Sequence, residues 1–167
     1  AHIVWTRRFL DSSGYFLQTL SYSSIDATCQ MSPIQDLMDP ISLSDGKYWG
    51  IDIDVDDEEV LISGYHRDMF TGGTFGDETS VFLLHADNPT KSSDWTLTPN
   101  VIGEIDLIPG TASSLDVEFG EDDGAHLLYQ STRSDSTGIE RHGLWYAHGL
   151  IEQSSWTYKK AVGDKAS

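Results

Sequence analysis

Three arginines at corresponding places along the chain could together bind an anionic ligand. They are Arg7 (with Arg8 beside it), Arg67 and Arg133, and each comes at the end of an apolar run. A guanidinium group holds a carboxylate through two parallel hydrogen bonds, so converging arginines would form a clamp for an acidic molecule. The alternative is that each arginine pairs with acidic side chains at 52, 54, 116 and 118 and joins neighbouring parts of the fold.

Histidines can act as bases, metal ligands or ring contacts, and the chain has six. His66 precedes a glycine-rich stretch at 69–73, which is the best setting for a functional histidine. His126 corresponds to His2 in the repeat described below. Inheritance from a common repeated unit is therefore an alternative to a binding role for these two histidines. No histidine has the close His-x-x-x-His or Cys/His spacing that is typical of a zinc site.

Two acidic turns are candidates for calcium, the only cofactor that the sequence suggests. The first contains Asp56 and Asp57, and the second contains Asp122 and Asp123. Carboxylate oxygens suit Ca²⁺, but the first run lacks the glycine and the final glutamate of a calcium loop. A solvated acidic turn is the alternative.

Short strands must position these residues. Apolar and acidic residues alternate at 51–56 and 115–119, which is the period of a strand with one buried face. Further runs rich in β-branched and aromatic residues, bounded by turn-forming residues, lie at 60–65, 81–85, 126–130 and 144–148. Only 33–38 has a weak helical pattern, and it ends near Pro40. We predict an all-β fold.

The predicted strands repeat along the chain. The first strand aligns 51–56 with 115–120, the second aligns 59–62 with 125–128, and the N-terminal residues 1–5 align with 125–129. Four antiparallel strands in each unit are typical of a β-propeller blade. We therefore expect one propeller-type domain over 1–167, with approximate blades at 1–45, 46–105 and 106–167, of which the first lacks its inner strand.

About three blades are too few to close a propeller ring, since propellers have about four to eight. We expect the chain to be a segment of a larger propeller, or one protomer of a ring that oligomerisation closes. Its partners would then be the remaining blades of a longer chain or other copies of itself. A self-contained β-sandwich is the structural alternative.

The repeats resemble the secreted propeller repeats of the sialidase-like (BNR, Asp-box) superfamily. The likeness lies in Leu115–Val117, Asp123–Tyr129, Leu144–His148 and Ser155–Thr157. In that family a Ser-x-Asp-x-Gly-x-x-Trp box lies between the third and fourth strands; here 92–96 and 154–157 keep Ser and Trp without the Asp-x-Gly spacing. The resemblance implies a carbohydrate partner and an extracellular or periplasmic location without selecting a reaction.

Three functions are compatible with that resemblance. The first is glycan binding without catalysis, for which the candidate binding residues are the three arginines, His66, His126, Tyr146 and Trp5. The second is a segment of a sialidase-like glycoside hydrolase or polysaccharide lyase. The third is a structural adhesion or assembly module. The recurrent tryptophans at 49, 95, 145 and 156 are expected to pack between blades instead.

Composition excludes other classes of partner. The chain has 27 acidic and 10 basic residues, and its formal charge of −17 disfavours nucleic acid and anionic membrane surfaces. No apolar run approaches the roughly 18 to 20 residues that a spanning helix requires, so we expect no membrane insertion. The single Cys29 permits no internal disulfide.

Overall fold

The structure is a computed structural model that describes residues 1–43, 46–71, 74–102, 115–121, 124–134, 140–151, 153 and 156–163. Side chains are described in those ranges except at 68–71, 74–79, 131–134, 140–142, 158, 160 and 162–163. The strands are β1 (His2–Leu10), β2 (Phe16–Ser24), β3 (Gln35–Asp36), β4 (Ile41–Ser42), β5 (Gly46–Asp56), β6 (Glu59–Thr71), β7 (Thr74–Asp87), β8 (Thr96–Ile102), β9 (Leu115–Phe119), β10 (Gly124–Ser134), β11 (Glu140–Leu150) and β12 (Thr157–Gly163), and a 3-10 helix covers Ser92–Asp94. The all-β prediction is confirmed.

These strands form three antiparallel sheets, which do not close into a ring within the described ranges. Sheet 1 contains β1–β4, sheet 2 contains β5–β8 and sheet 3 contains β9–β12. In sheets 2 and 3 each strand pairs with the next one along the chain, whereas in sheet 1 both β3 and β4 pair with β2. The weakly helical stretch at 33–38 contains β3, because the free edge of β2 accepts it as a strand.

Sheet 2 is buried on both faces and forms the centre of the fold. Ile62 and Leu84 pack toward Tyr22 of sheet 1, while Leu61 and Leu83, one position earlier on the same strands, pack toward sheet 3. A strand that is buried on both faces shows no polar alternation, which is why β6 and β7 contain continuous apolar runs. Each of these fully buried side chains contributes about 1.5–3 kcal/mol.

The two outer sheets each bury one face against sheet 2. In sheet 3, Leu127 and Tyr129 are fully buried, whereas the alternating His126 and Leu128 point to the opposite face and are half-buried. β2 also carries buried hydroxyl groups on the face of sheet 1 that points away from sheet 2. These hydroxyls donate hydrogen bonds to the adjoining segment at 32–38. Buried hydroxyls need such partners, because an unpaired one costs free energy.

Two carboxylates of β5 bind the backbone of β9 and so join sheet 2 to sheet 3. Asp52 Oδ2 accepts the Val117 N–H at 2.9 Å, and Asp54 Oδ2 accepts the Phe119 N–H at 2.8 Å. β9 is an edge strand of its sheet, so these N–H groups are on the side that β10 does not pair with. The Asp residues whose alternation predicted the strand at 51–56 therefore also bind a neighbouring strand, β9.

The strand register corrects one equivalence between the repeats. β5 pairs Asp54 with Leu61, whereas β9 pairs Glu118 with His126, so Leu61 corresponds to His126 and not to Leu127 as the sequence alignment predicts. A shift of one residue moves a side chain to the other face of its sheet. The predicted equivalence of His2 with His126 is kept, because β1–β2 and β10–β11 share the same register.

Candidate functional site

A groove of about 340 Å³ lies between sheet 1 and sheet 2. One wall comes from Leu37, Met38 and Asp39, which lie between β3 and β4, and the other comes from Leu97 and neighbouring residues of β8. The base is formed by side chains of β5, β6 and β7. The groove brings together one predicted site residue, His66, with groups that the sequence analysis did not select.

Two prolines lie at irregularities in the strands that border this groove. Pro40 separates β3 from β4, because proline has no N–H to donate to a strand ladder. Pro99 lies in β8 where the pairing with β7 skips residues: Leu83 pairs with Thr98 and Val81 with Ile102. Asn100 follows with φ of +53°, a left-handed conformation that asparagine tolerates. Residues beside both irregularities line the groove.

An aromatic pair lies at the base of the groove. The rings of His66 and Tyr48 stack with centroids 5.1 Å apart and planes 26° apart. The buried Gln18 amide fixes Tyr48, since its Oε1 accepts the Tyr48 N–H at 3.1 Å and its Nε2 donates to the Tyr48 carbonyl at 3.2 Å. Tyr48 Oη donates to the Asp39 carbonyl at 3.4 Å. Burial, followed by the charge of Asp39, raises the pKa of Tyr48 to about 12, so its hydroxyl stays protonated at neutral pH.

The lining combines apolar and hydrogen-bonding surface. Leu97 and Pro99 present apolar faces, while Asp39, Asn100 and the His66 ring offer acceptors and donors. Asp39 is the single carboxylate among the described residues that line the groove. Such a surface can bind a small ring that is apolar on one face and carries hydroxyls at its edge.

A second aromatic cluster lies on the outer face of sheet 3 and contains two predicted site residues. His126 Nδ1 is hydrogen-bonded to Tyr146 Oη, and the two rings stack with centroids 5.7 Å apart. His148 lies against both rings, and Lys159 Nζ lies 5.4 Å from the Tyr146 ring centroid. His126 and His148 also line a cavity of about 510 Å³.

The same pair occurs in sheet 1, where another sheet covers it. His2 Nδ1 is hydrogen-bonded to Tyr22 Oη at 2.6 Å, and the edge of Trp95 from sheet 2 packs on the Tyr22 ring at 4.9 Å. His2 corresponds to His126 and Tyr22 to Tyr146. The outer face of sheet 3 therefore repeats a surface that, in sheet 1, packs against a neighbouring sheet.

The structure describes the side chains of two of the three predicted arginines, Arg7 and Arg67. Arg7 lies on the face of sheet 1 that points away from sheet 2 and pairs with Asp36 at 2.5 Å. Arg67 is half-buried on β6, opposite Lys47 of β5. Arg133 lies on β10 opposite Arg141, and its side chain is outside the described set. The clamp hypothesis stays a prediction.

The predicted core tryptophans are confirmed in position. Trp49, Trp145 and Trp156 pack against the core between sheets 2 and 3, and Trp95 packs between sheets 1 and 2. Trp5 is half-buried on β1, opposite Ser21, on the outer face of sheet 1. Its role as a sugar platform stays a prediction.

The first acidic turn borders a cavity of about 860 Å³ between sheets 2 and 3. Asp56 and Asp57 line it together with Glu59 and Asp87. The second candidate turn, Asp122 and Asp123, lies outside the described residues. His85, which the sequence analysis did not select, lies beside Glu59 and Asp87.

Sequence reasoning missed Tyr48 and Asn100 for identifiable reasons. Pro40 and Pro99 are the sequence signals that could have pointed to the groove, since proline disturbs the pairing of a strand with its neighbour. Tyr48 precedes the alternating run at 51–56, and nothing in its local sequence separates it from core tyrosines.

Comparisons with models of known protein families, with curated proteins and with solved structures found no match for this chain. The described part of the chain contains no helix of the length and apolarity needed to cross a bilayer. The functional argument therefore depends on the geometry of the sites themselves.

Proposed function

We propose that the three sheets are consecutive blades of a β-propeller of the sialidase-like kind. The support is threefold: sheets 2 and 3 are four-stranded meanders, all three sheets stack face to face, and β5 lies beside β9 as neighbouring inner strands would. In this arrangement sheet 1 supplies the second to fourth strands of its blade.

We further propose that the protein binds a glycan without turning it over, in the groove between sheets 1 and 2. The observation that carries this proposal is the partly exposed His66 ring, which stacks on the buried Tyr48 ring and lies in the groove together with Asn100 and Asp39. Sugars bind through ring stacking on their apolar face and hydrogen bonds to their hydroxyls. A volume of about 340 Å³ suits one sugar residue or a chain end. The proposal implies an extracellular or periplasmic protein, where such glycans occur.

The carboxylates of the groove support binding without turnover. Glycoside hydrolysis by the common route needs a pair of carboxyl groups that flank the scissile bond. The described lining has Asp39 alone, so it offers a hydrogen-bond acceptor but not an acid and base pair.

Titration calorimetry with a panel of methyl glycosides, neutral and acidic, tests the binding proposal. We expect saturable binding of at least one of them, and we expect His66→Ala and Asn100→Ala each to weaken it about tenfold or more, as lost stacking and hydrogen bonds do. Tyr15→Ala, at an exposed aromatic residue far along the chain from the groove, is the matched control and should bind like the wild type.

Two results would contradict this proposal. Equal affinity in the His66→Ala variant and the wild type would exclude the groove as the site. Release of reducing sugar from a sialoside or an acidic polysaccharide would favour the hydrolase or lyase alternative.

A second function, assembly, is favoured by the repeated His–Tyr pair. We propose that the outer face of sheet 3, marked by His126 and Tyr146, packs against the outer face of sheet 1 in a second copy, where Trp5 is half-buried. Trp95 of sheet 2 covers the equivalent pair within the chain, which shows the kind of surface that fits it. Two copies joined in this way at both ends would form a six-bladed ring.

Light scattering coupled to size exclusion tests this second function. The assembly proposal expects a dimer at twice the chain mass of 18.5 kDa. Leu128→Glu on the outer face should yield monomers, whereas Tyr15→Glu on an exposed turn should not. A wild-type monomer at all accessible concentrations would contradict assembly by a second copy.

A further inference from the structure

Three carboxylates lie in one row across sheet 2. The strand register pairs Asp56 with Glu59, and Glu59 in turn with Asp87. Directly paired residues of antiparallel strands have side chains on the same face, so the three carboxylates are neighbours. Like charges in directly opposed positions destabilise a sheet. A cation at this row would convert that repulsion into attraction.

His85 lies one step further along the same face. It is two residues before Asp87 on β7, and its ring makes an edge-to-face contact with Phe119 of sheet 3, with centroids 6.2 Å apart. Its Nε2 lies 3.4 Å from Asp87 Oδ1 and 3.7 Å from Glu59 Oε2. This nitrogen is buried and makes no hydrogen bond to any described residue.

We propose that Glu59, His85 and Asp87 bind a divalent transition-metal ion, with zinc as the best fit. One donor atom from each residue lies within 4.8 Å of the other two. Two ligands at about 2.0–2.1 Å from a tetrahedral zinc ion are about 3.4 Å apart. The separations around His85 Nε2 already match that spacing with little side-chain movement.

The His85 imidazole determines which kind of metal ion suits the site. Calcium takes six to eight oxygen ligands, whereas a neutral imidazole nitrogen with two carboxylates suits zinc, nickel or copper. Three protein ligands would leave a fourth position for water, and Glu59 and Asp87 also line the cavity of about 860 Å³. The histidine therefore favours a transition-metal ion over calcium at Glu59, His85 and Asp87, while calcium at Asp56 and Asp57 stays a prediction.

Calorimetric titration of the purified wild-type chain with ZnCl₂, and separately with CaCl₂, is the first test. We expect one zinc ion per chain, and zinc binding at least tenfold tighter than calcium binding. His85→Ala and Glu59→Gln should each weaken zinc binding about tenfold or more, because each removes one of three ligands. His148→Ala and Glu118→Gln are matched controls, which remove a histidine and a carboxylate at exposed positions of sheet 3 and should leave zinc affinity unchanged.

A measurement on the wild type gives a test that does not depend on whether the variants fold. Titration of ¹⁵N-histidine-labelled protein with ZnCl₂ should shift the Nε2 signal of His85 before those of the other five histidines. Zinc affinity that is unchanged in His85→Ala, or zinc shifts that appear first at another histidine, would overturn the proposal. Calcium binding equal to zinc binding and independent of His85 would show an all-oxygen site instead.

Discussion

The carboxylate bridge between β5 and β9 gives a quantitative prediction for Asp54→Ala. The substitution removes a hydrogen bond of 2.8 Å from the Phe119 N–H, which is left at an uncovered strand edge, and an exposed hydrogen bond of 2.9 Å from the Val55 N–H. A hydrogen bond to a charged group contributes about 1.5–3 kcal/mol. Asp54 is only half-buried, so the lower end applies. The substitution also removes the repulsion between the negative charges of Asp54 and Asp116, which offsets part of the lost stability. We expect a net loss of about 1 kcal/mol in unfolding free energy.

Urea unfolding followed by tryptophan fluorescence measures this loss, and a thermal melt should show a midpoint lower by about 2–4 °C for a chain of this size. Asp54→Asn keeps an acceptor oxygen and should lose less. Glu118→Ala is the matched control, because Glu118 corresponds to Asp54 in the next repeat but accepts no backbone hydrogen bond from a described residue. If Asp54→Ala is no less stable than Glu118→Ala, the carboxylate bridge does not hold the two sheets together.

Two further substitutions test other parts of the structure. Burial, followed by the charge of Asp52, raises the pKa of Asp116 above its usual 3.8, so the ionised carboxyl opposes folding as the pH rises through that pKa. Asp116→Asn should therefore be more stable than the wild type at pH 7, with a difference in unfolding free energy that disappears as the pH falls below 3.8. Gln18→Leu removes two buried hydrogen bonds to the Tyr48 backbone and should lower the free energy of unfolding in urea by about 2–4 kcal/mol. A loss no larger than that of a surface substitution would contradict the conclusion that Gln18 fixes Tyr48.

Much of the fold could be predicted because its signals are local. Each strand predicted between 51 and 148 is present, since alternation at 51–56 and continuous apolar runs at 60–65 and 81–85 reflect one-sided and two-sided burial. The register of the hairpins could not be predicted to the residue. Apolar side chains occupy both faces of β6. The apolar pattern is therefore compatible with two alignments of the repeats, one that matches Leu61 with Leu127 and one that matches it with His126.

The candidate sites were harder to predict, because each combines residues from separate strands. His126 and Tyr146 could be found, since the repeat placed them at the positions of His2 and Tyr22. His85 gave no sequence signal: its acidic neighbour Glu59 is distant along the chain, and only the pairing of β6 with β7 brings them together.

The groove and the sheet faces differ in a way that assigns them different roles. The face around His126 follows the repeat, so its form is explained by packing one sheet on the next. The groove departs from the repeat, because Pro40 separates β3 from β4 and Pro99 lies where the pairing of β8 with β7 is irregular. The packing of one sheet on the next already explains the face around His126, so no ligand is needed to explain it. An opening made by two independent interruptions, lined by a fixed aromatic pair, is therefore the better candidate for recognition of a small molecule.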